Sequence, residues 1–151
     1  MKKVISLIIL IVFIFGLTGC GSKNVSGTLE EIMDKVYATI PEEEKPMMLM
    51  NTEVTKENVE MYLGTSNIEF EEALASESAT GSIAHSVVLI RVKDSANVEL
   101  IKDQIEESVN PRKWICVEAD EVEVESKGNL IILIMSSEKT AERIETEFNK
   151  L

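Results

Sequence analysis

The sequence predicts an α+β fold built on a four-stranded antiparallel sheet. The order of half-exposed strand, buried strand, polar break and amphipathic helix occurs twice between residues 68 and 151. Residues 86–93 and 130–135 are apolar on both faces, which is typical of interior strands. Two strand-strand-helix units form an antiparallel sheet with two helices on one face, so N-terminal helices are expected to cover the other face.

Two helices are predicted before the sheet. Thr28 and Glu31 form a capping-box pattern, and apolar residues then recur at helical spacing until Pro41 ends the helix. A second, short helix is predicted from about Thr55 to Gly64, which is placed to act as its C-terminal cap. The residues between these helices are predicted to be a connection, beginning with a charged loop.

The periodicity of the sequence predicts the strands and helices of the two strand-strand-helix units. Residues 68–74 alternate between apolar and polar positions, as expected of a strand with one solvent-exposed face. Residues 98–109 carry an apolar stripe at helical spacing, which predicts a helix. Residues 121–125 alternate again, and residues 126–129 form a hairpin turn into the second buried strand. A last helix with an apolar stripe is predicted from residue 138 onward.

The first twenty residues indicate export and lipid attachment. Two lysines precede an apolar run at residues 4–17, which is too short for a good membrane span and is typical of a signal peptide. The run ends in Leu17-Thr18-Gly19-Cys20, which resembles the lipobox of bacterial lipoproteins. The resemblance implies cleavage between Gly19 and Cys20, a diacylglyceryl thioether on Cys20, and a lipid-anchored protein on the extracytoplasmic face of the cell membrane. Two acyl chains anchor a protein stably.

These signals divide the chain into three parts. We expect a signal peptide at residues 1–19, a lipidated cysteine and flexible tether at residues 20–27, and a single α+β domain at residues 28–151. The full sequence has 15 Lys and Arg against 27 Asp and Glu, a net charge of −12. Loss of the two signal-peptide lysines makes this charge more negative. Such an acidic chain argues against nucleic acid as a partner, because phosphate binding needs clustered cations.

Three segments resemble a known family. Residues 82–94 (SIAHSVVLIRVKD), residues 110–116 (NPRKWIC) and the buried strand at residues 130–135 are similar to lipoproteins of spore-forming, Gram-positive bacteria that contain domain of unknown function 4358. The resemblance covers most of the chain, from about Thr28 to the final helix. It implies a cell-surface lipoprotein with a small α+β domain, and it supplies no catalytic residues.

The main candidate for a partner contact follows the helix at residues 98–109. Arg112, Lys113 and Trp114 combine two basic residues of an acidic chain with its only tryptophan. Arg and Trp are enriched in interface hot spots, and an isolated positive patch can steer an acidic partner. The alternative is that Trp114 packs under the helix end while Arg112 and Lys113 bind the terminal carbonyls of the helix.

His85 and Cys116 each have a structural and a chemical interpretation. His85, the only histidine, is predicted to be structural or partly exposed, with a ligand contact or catalysis as the alternatives. Ser86 is not expected to be its partner, because neighbours on a strand point to opposite faces. Cys116 lies in an apolar run and is predicted to pack, with a reactive thiol or an intermolecular disulfide as the alternatives.

No pattern predicts a metal site. Methionines 47, 48 and 50 suit core or interface packing, although soft thioethers also suit Cu(I) outside the cytoplasm. The acidic runs at residues 42–44 and 118–125 are predicted to be solvated faces. A calcium loop needs a curved backbone with a glycine turn, whereas alternating Glu and Val indicates a straight strand.

The sequence therefore predicts no catalytic residues, no metal and no cofactor. We expect a non-enzymatic binding or accessory module that holds a partner protein or a small ligand near the membrane. A passive structural role is a further possibility. The enzymatic alternative acts on cell-wall or lipid material through carboxylates such as Glu72, Glu118 and Asp120, with Arg112 as an anion contact.

Overall fold

The computed structural model describes residues 23–151, so the predicted signal peptide, Gly19 and Cys20 lie outside the described residues. Short 3-10 turns occur at Glu42–Glu44 and Ser95–Asn97. Within residues 23–151, no helix is long and apolar enough to cross a bilayer. The helices and strands are, in chain order, α1 (Leu29–Tyr37), β1 (Leu49–Glu53), α2 (Val59–Leu63), β2 (Glu72–Ser78), β3 (Ser86–Arg91), α3 (Val98–Ser108), β4 (Glu121–Lys127), β5 (Leu130–Ser136) and α4 (Glu138–Phe148).

The strands form one antiparallel sheet in the order β1-β2-β3-β5-β4. The α+β prediction is confirmed, and β3 and β5 are interior strands as expected. All seven residues of β5 and five of the six in β3 are buried. In the register, Val88 of β3 lies between Ala75 of β2 and Leu133 of β5.

The predicted number of strands is wrong, because the sheet has a fifth strand, β1. Its residues pair with β2 from Leu49 opposite Ser78 to Glu53 opposite Leu74. Four of its five residues are exposed. An edge strand that buries neither face has no hydrophobic alternation, so this segment gives no period-two signal in the sequence.

Helices cover both faces of the sheet, and the prediction that α3 and α4 share a face is wrong. One core lies under α1 and α4 and includes Ile32, Ile144 and Phe148. The other lies under α2 and α3 and includes Leu63 and Ile105. Because β3 and β5 are apolar on both faces, each face receives one helix of 11 residues and one shorter N-terminal helix.

Most of the predicted helix signals are present at slightly shifted ends. Thr28 and Glu31 form the capping box, with both hydrogen bonds at 3.2 Å. Gly64 ends α2 in the left-handed conformation, at φ +73°. The first helix ends at Tyr37, before the predicted Pro41, and α2 is shorter than its pattern indicated.

The chain before α1 packs against the domain. Val25 is 9% exposed and belongs to the core under α1 and α4. The Arg91 guanidinium donates hydrogen bonds to the carbonyls of Val25 (2.6 Å) and Gly27 (2.7 Å). Residues 25–27, assigned from sequence to the tether, therefore belong with the folded domain. We call the end of the sheet at Arg91 and Leu130 the proximal end, and the opposite end the distal end.

Candidate binding surface

The distal end of the sheet carries buried polar side chains, in contrast to its apolar middle. Register places Glu77 of β2 opposite Ser86, and Ser86 opposite Met135. His85 precedes Ser86, so the two side chains contact opposite faces of the sheet. Two separate polar networks result. The buried polar residues of the domain are Ser76, Ser78, His85, Ser86, Ser136 and Thr140.

Lys113 is the centre of the network on the α2/α3 face. Its ammonium forms an ion pair with Glu77 and donates a hydrogen bond to the Ser86 hydroxyl at 3.2 Å. The Ser86 hydroxyl in turn donates to Glu77 at 2.6 Å. The Lys113 nitrogen also lies 5.4 Å from the ring centroids of both Tyr62 and Trp114. The side chain of Lys113 is only 17% exposed, so this cation is held by the fold.

Residues 110–120, between α3 and β4, form a closed loop that we call the tryptophan loop. At its base, the Ala119 N–H donates to the Pro111 carbonyl at 3.0 Å. Across the loop, Arg112 Nε lies 3.1 Å from Glu118 Oε2. Together with the Lys113 contacts, these bonds fix both ends of the loop against the sheet.

The middle of the tryptophan loop points into solvent. Ile115 is 94% exposed, and Cys116 is exposed and forms no disulfide. The prediction that Cys116 packs is therefore wrong. Within this apolar run Trp114 packs against the α2/α3 core. The loop closes on its own base rather than pairing with the sheet, so its middle has no surface to bury against.

The structure brings Arg112, Lys113 and Trp114 together, but not as a free positive patch. Both cations pair with carboxylates of the domain, Arg112 with Glu118 and Lys113 with Glu77. Trp114 is half-buried, with one side against the core. Ile115 was missed, because an apolar residue between Trp and Cys gives no sequence signal of exposure.

Exposed methionines border the same end of the sheet. Met47, Met48 and Met50 are 65%, 68% and 59% exposed, which excludes core packing and leaves both the interface and the Cu(I) interpretations open. Met50 pairs in register with Glu77, the partner of Lys113. The distal end therefore presents thioethers next to the network that holds the tryptophan loop.

His85 is the centre of the network on the α1/α4 face. Its Nε2 lies 2.6 Å from the Tyr37 hydroxyl and its Nδ1 lies 2.8 Å from the Ser136 hydroxyl. The ring is fully buried, and burial lowers the pKa of His85 to about 4. Burial also raises the pKa of Tyr37. The expectation that Ser86 is not its partner is confirmed, since Ser86 binds Glu77 on the other face.

This arrangement favours a structural histidine over a catalytic one. A groove of about 350 Å³ passes beside the ring and is also lined by Glu118, Asp120 and Ser136. Ser136 is 2% exposed, so its hydroxyl is not open to a substrate. Both nitrogens of His85 bind hydroxyl groups, so neither binds a carboxylate that would support a protonated imidazole in a catalytic triad.

Of the three carboxylates of the enzymatic alternative, Glu118 and Asp120 share the groove beside His85, whereas Glu72 lies at the other end of the sheet. Glu72 binds Arg91 at the proximal end, at 2.7 Å, whereas Glu118 binds Arg112 in the tryptophan loop. Asp120 lines the groove beside His85. In the part of the chain that the structure describes, no group of three or more His, Cys, Asp or Glu side chains is arranged to hold a metal ion.

Comparisons with known proteins add no family to these observations. The chain was compared with protein family models, with curated proteins and with solved structures, and none of them matches.

Proposed function

We propose that this protein is a membrane-anchored, extracytoplasmic lipoprotein whose domain is a non-enzymatic binding module for a partner protein. The lipobox-like Leu17-Thr18-Gly19-Cys20 supports the anchor, through lipid on Cys20. The binding role is carried by one observation. Ile115 is 94% exposed beside the half-buried Trp114, on a loop that is fixed at both ends.

A fixed apolar side chain is well suited to binding. Ordering a mobile loop reduces affinity, and a loop that is already closed avoids most of that loss. Burying an isoleucine side chain in a partner pocket contributes about 1.5–3 kcal/mol. Trp114 and Arg112 are residue types enriched in hot spots, and the exposed Met50 nearby can adapt to an apolar partner. The geometry therefore favours a partner with an apolar pocket that receives Ile115.

Lys23, the first described residue, lies beside Gly128 at the proximal end of the sheet, and the tryptophan loop lies at the distal end. Lys23 is three positions after Cys20, and each residue spans at most about 3.5 Å. With Cys20 lipidated, the proximal end is held within about 10 Å of the membrane surface. The seven residues of β2 separate the proximal and distal ends of the sheet by roughly 20 Å. The loop is accessible to wall proteins or to the outer domains of membrane proteins.

The binding role is tested by crosslinking in cells followed by affinity recovery of the full lipidated protein. We expect Ile115→Glu to reduce recovery of the crosslinked partner about tenfold, as for a hot-spot residue. Because Ile115 is almost fully exposed, this change leaves the fold intact. Thr146→Glu is the matched control, since it adds the same charge at an exposed position of α4, on the other face of the sheet. Equal recovery with Ile115→Glu and with the unmodified sequence would refute the role of the loop.

The anchor is tested separately by fractionation. We expect Cys20→Ala to move the protein out of the detergent-extracted membrane lipoprotein fraction and to abolish metabolic labelling with fatty acid. The reason is that the lipobox contains no other cysteine that could form the thioether. Cys116→Ala is the control, as it removes the exposed thiol of the domain and keeps Cys20. Labelling that persists in Cys20→Ala would show that the anchor is not at this cysteine.

A further inference from the structure

A cleft separate from the tryptophan loop lies at the proximal end of the sheet. Its volume is about 830 Å³, compared with about 350 Å³ for the groove beside His85. Its walls are the segment 67–71 before β2, residues 92–94 after β3, and the first half of α3. We call it the proximal cleft. The volume falls within the range of small-molecule sites, roughly 300–1,000 Å³.

The floor of the proximal cleft is apolar. Phe70, Val92, Leu100 and Ile101 line it. Val92 and Ile101 are 1% and 4% exposed, so they are fixed in the α2/α3 core. Leu100 is 59% exposed on a helix whose other apolar residues are mostly buried. An apolar ligand body placed here covers Leu100 and Phe70 and removes their surface from water.

The rim of the cleft is polar and mainly acidic. Glu69, Glu71, Asp94 and Lys93 line it, and Lys56 adds a second cation beside Glu69. Glu69 forms an ion pair with Lys56 at 3.2 Å, but both side chains are more than 70% exposed, so water screens this pair. Three amide side chains, Asn67, Asn97 and Gln104, complete the rim.

We propose that the proximal cleft binds a small amphipathic amine. The apolar body of the ligand lies on the floor, and its protonated nitrogen lies among the carboxylates of the rim. The charge of the site fits this occupant, because three carboxylates outnumber the two lysines, Lys93 and Lys56, and the whole chain carries a net charge of −12. A ligand that carries a carboxylate or phosphate on the same apolar body is repelled by the carboxylates of the rim. The inference depends on neither the membrane anchor nor the tryptophan loop.

The test is an NMR titration of the mature chain, residues 20–151, with Cys20→Ser to keep it free of lipid. Both cores are built entirely from residues between Val25 and Leu151, so this chain contains everything that covers the sheet. The probes are hexylamine, hexanol and hexanoate at neutral pH, which share one apolar body and differ in charge. We expect affinity to fall in that order, with shifts centred on residues 67–71 and 92–101.

Two variants, one removing a negative charge and the other removing a positive charge, test the role of the rim. Because both side chains are exposed and screened by water, Glu71→Gln is expected to weaken hexylamine about twofold, and Lys93→Gln to strengthen it by a similar factor. Both side chains are exposed, so neither change disturbs the core. Glu142→Gln on α4 is the control, because it removes the same charge far from the cleft and is expected to leave the affinity unchanged.

Several outcomes would overturn the inference. Hexanoate binding as tightly as hexylamine would show that the rim does not select a cation. Shifts located away from the cleft would place the amine elsewhere. An effect of Glu142→Gln equal to that of Glu71→Gln would reduce the attraction to net charge alone, without a site.

Discussion

Lowering the pH from 7 to 4 is expected to remove about 3 kcal/mol of stability through His85 alone. The pKa of this histidine is about 4 in the fold, against 6.5 for an ordinary histidine. Its buried ring is neutral and bound to Tyr37 and Ser136. Below pH 6.5 the unfolded chain takes up a proton that the folded protein does not accept.

The direction of this effect follows from the depressed pKa. The stabilising contribution of neutral His85 is fully present above pH 6.5 and is lost progressively as the pH falls to about 4. Below that value both states are protonated and the loss is complete. Since the chain has one histidine, no other imidazole contributes to this change.

The measurement is urea unfolding of the protein and of His85→Gln between pH 7 and pH 4. Carboxylates also titrate in this range. Glu44, Glu118 and Asp120 line the groove beside the ring, and a hydrogen bond from Lys139 lowers the pKa of Glu44. These groups are present in both proteins, so the difference between the two pH profiles isolates His85.

We expect the pH profile of His85→Gln to be flatter by about 3 kcal/mol over this interval, even if the variant is less stable at pH 7. A direct check is the NMR titration of the His85 ring in the folded protein, with an expected midpoint near pH 4. Parallel profiles for the two proteins, or a ring that titrates near pH 6.5, would contradict the prediction.

The sequence predicted the interior strands β3 and β5 and the edge strand β4, but it placed the second strand at residues 68–74 instead of Glu72–Ser78 and missed the edge strand β1. β3 and β5 are predictable because residues 87–90 and 130–135 all contribute to one of the two cores. β1 is defined by backbone pairing with β2, and its exposed side chains carry no period. The local sequence also does not determine which face of the sheet α3 and α4 pack against. An apolar stripe predicts that a helix side is buried, but not on which face of the sheet.

The sequence singled out the candidate loop but not its contacts. The sequence identified the loop around Trp114, since its residue types are rare in this chain. It did not show that Lys113 binds Glu77, 36 residues earlier, or that His85 binds Tyr37, 48 residues earlier. These contacts depend on strand register and on helix placement, which local patterns do not determine. The exposure of Ile115 depends on the closed loop that the same contacts create.

Gly64→Ala is expected to destabilise the domain by about 3 kcal/mol and to disturb the tryptophan loop. Gly64 has φ +73°, a conformation that costs an alanine about 1–2 kcal/mol. An added Cβ would also overlap the backbone carbonyl of Ser108, and it would lie 3.0 Å from the Val109 nitrogen. Backbone cannot rotate away as a side chain can, so overpacking adds about 1–3 kcal/mol.

The position of Gly64 connects this change to the proposed binding role. It ends α2 against the last turn of α3, and the tryptophan loop begins immediately after Val109. A shift of that turn moves Lys113 relative to Tyr62 on α2 and Glu77 on β2. We therefore expect faster amide hydrogen exchange at residues 109–114 in Gly64→Ala, and weaker recovery of the crosslinked partner.

Gly81→Ala is the matched control for urea unfolding. Gly81 has no heavy atom within 4 Å of an ideal Cβ and does not adopt a left-handed φ, so its replacement is expected to change stability by less than about 0.5 kcal/mol. Gly64→Asn separates the two causes, because asparagine tolerates the left-handed conformation but keeps the Cβ. If overlap with Ser108 dominates, Gly64→Asn is as unstable as Gly64→Ala. Recovery of most of the stability in Gly64→Asn would instead show that backbone strain dominates and that α2 and α3 can separate at this contact.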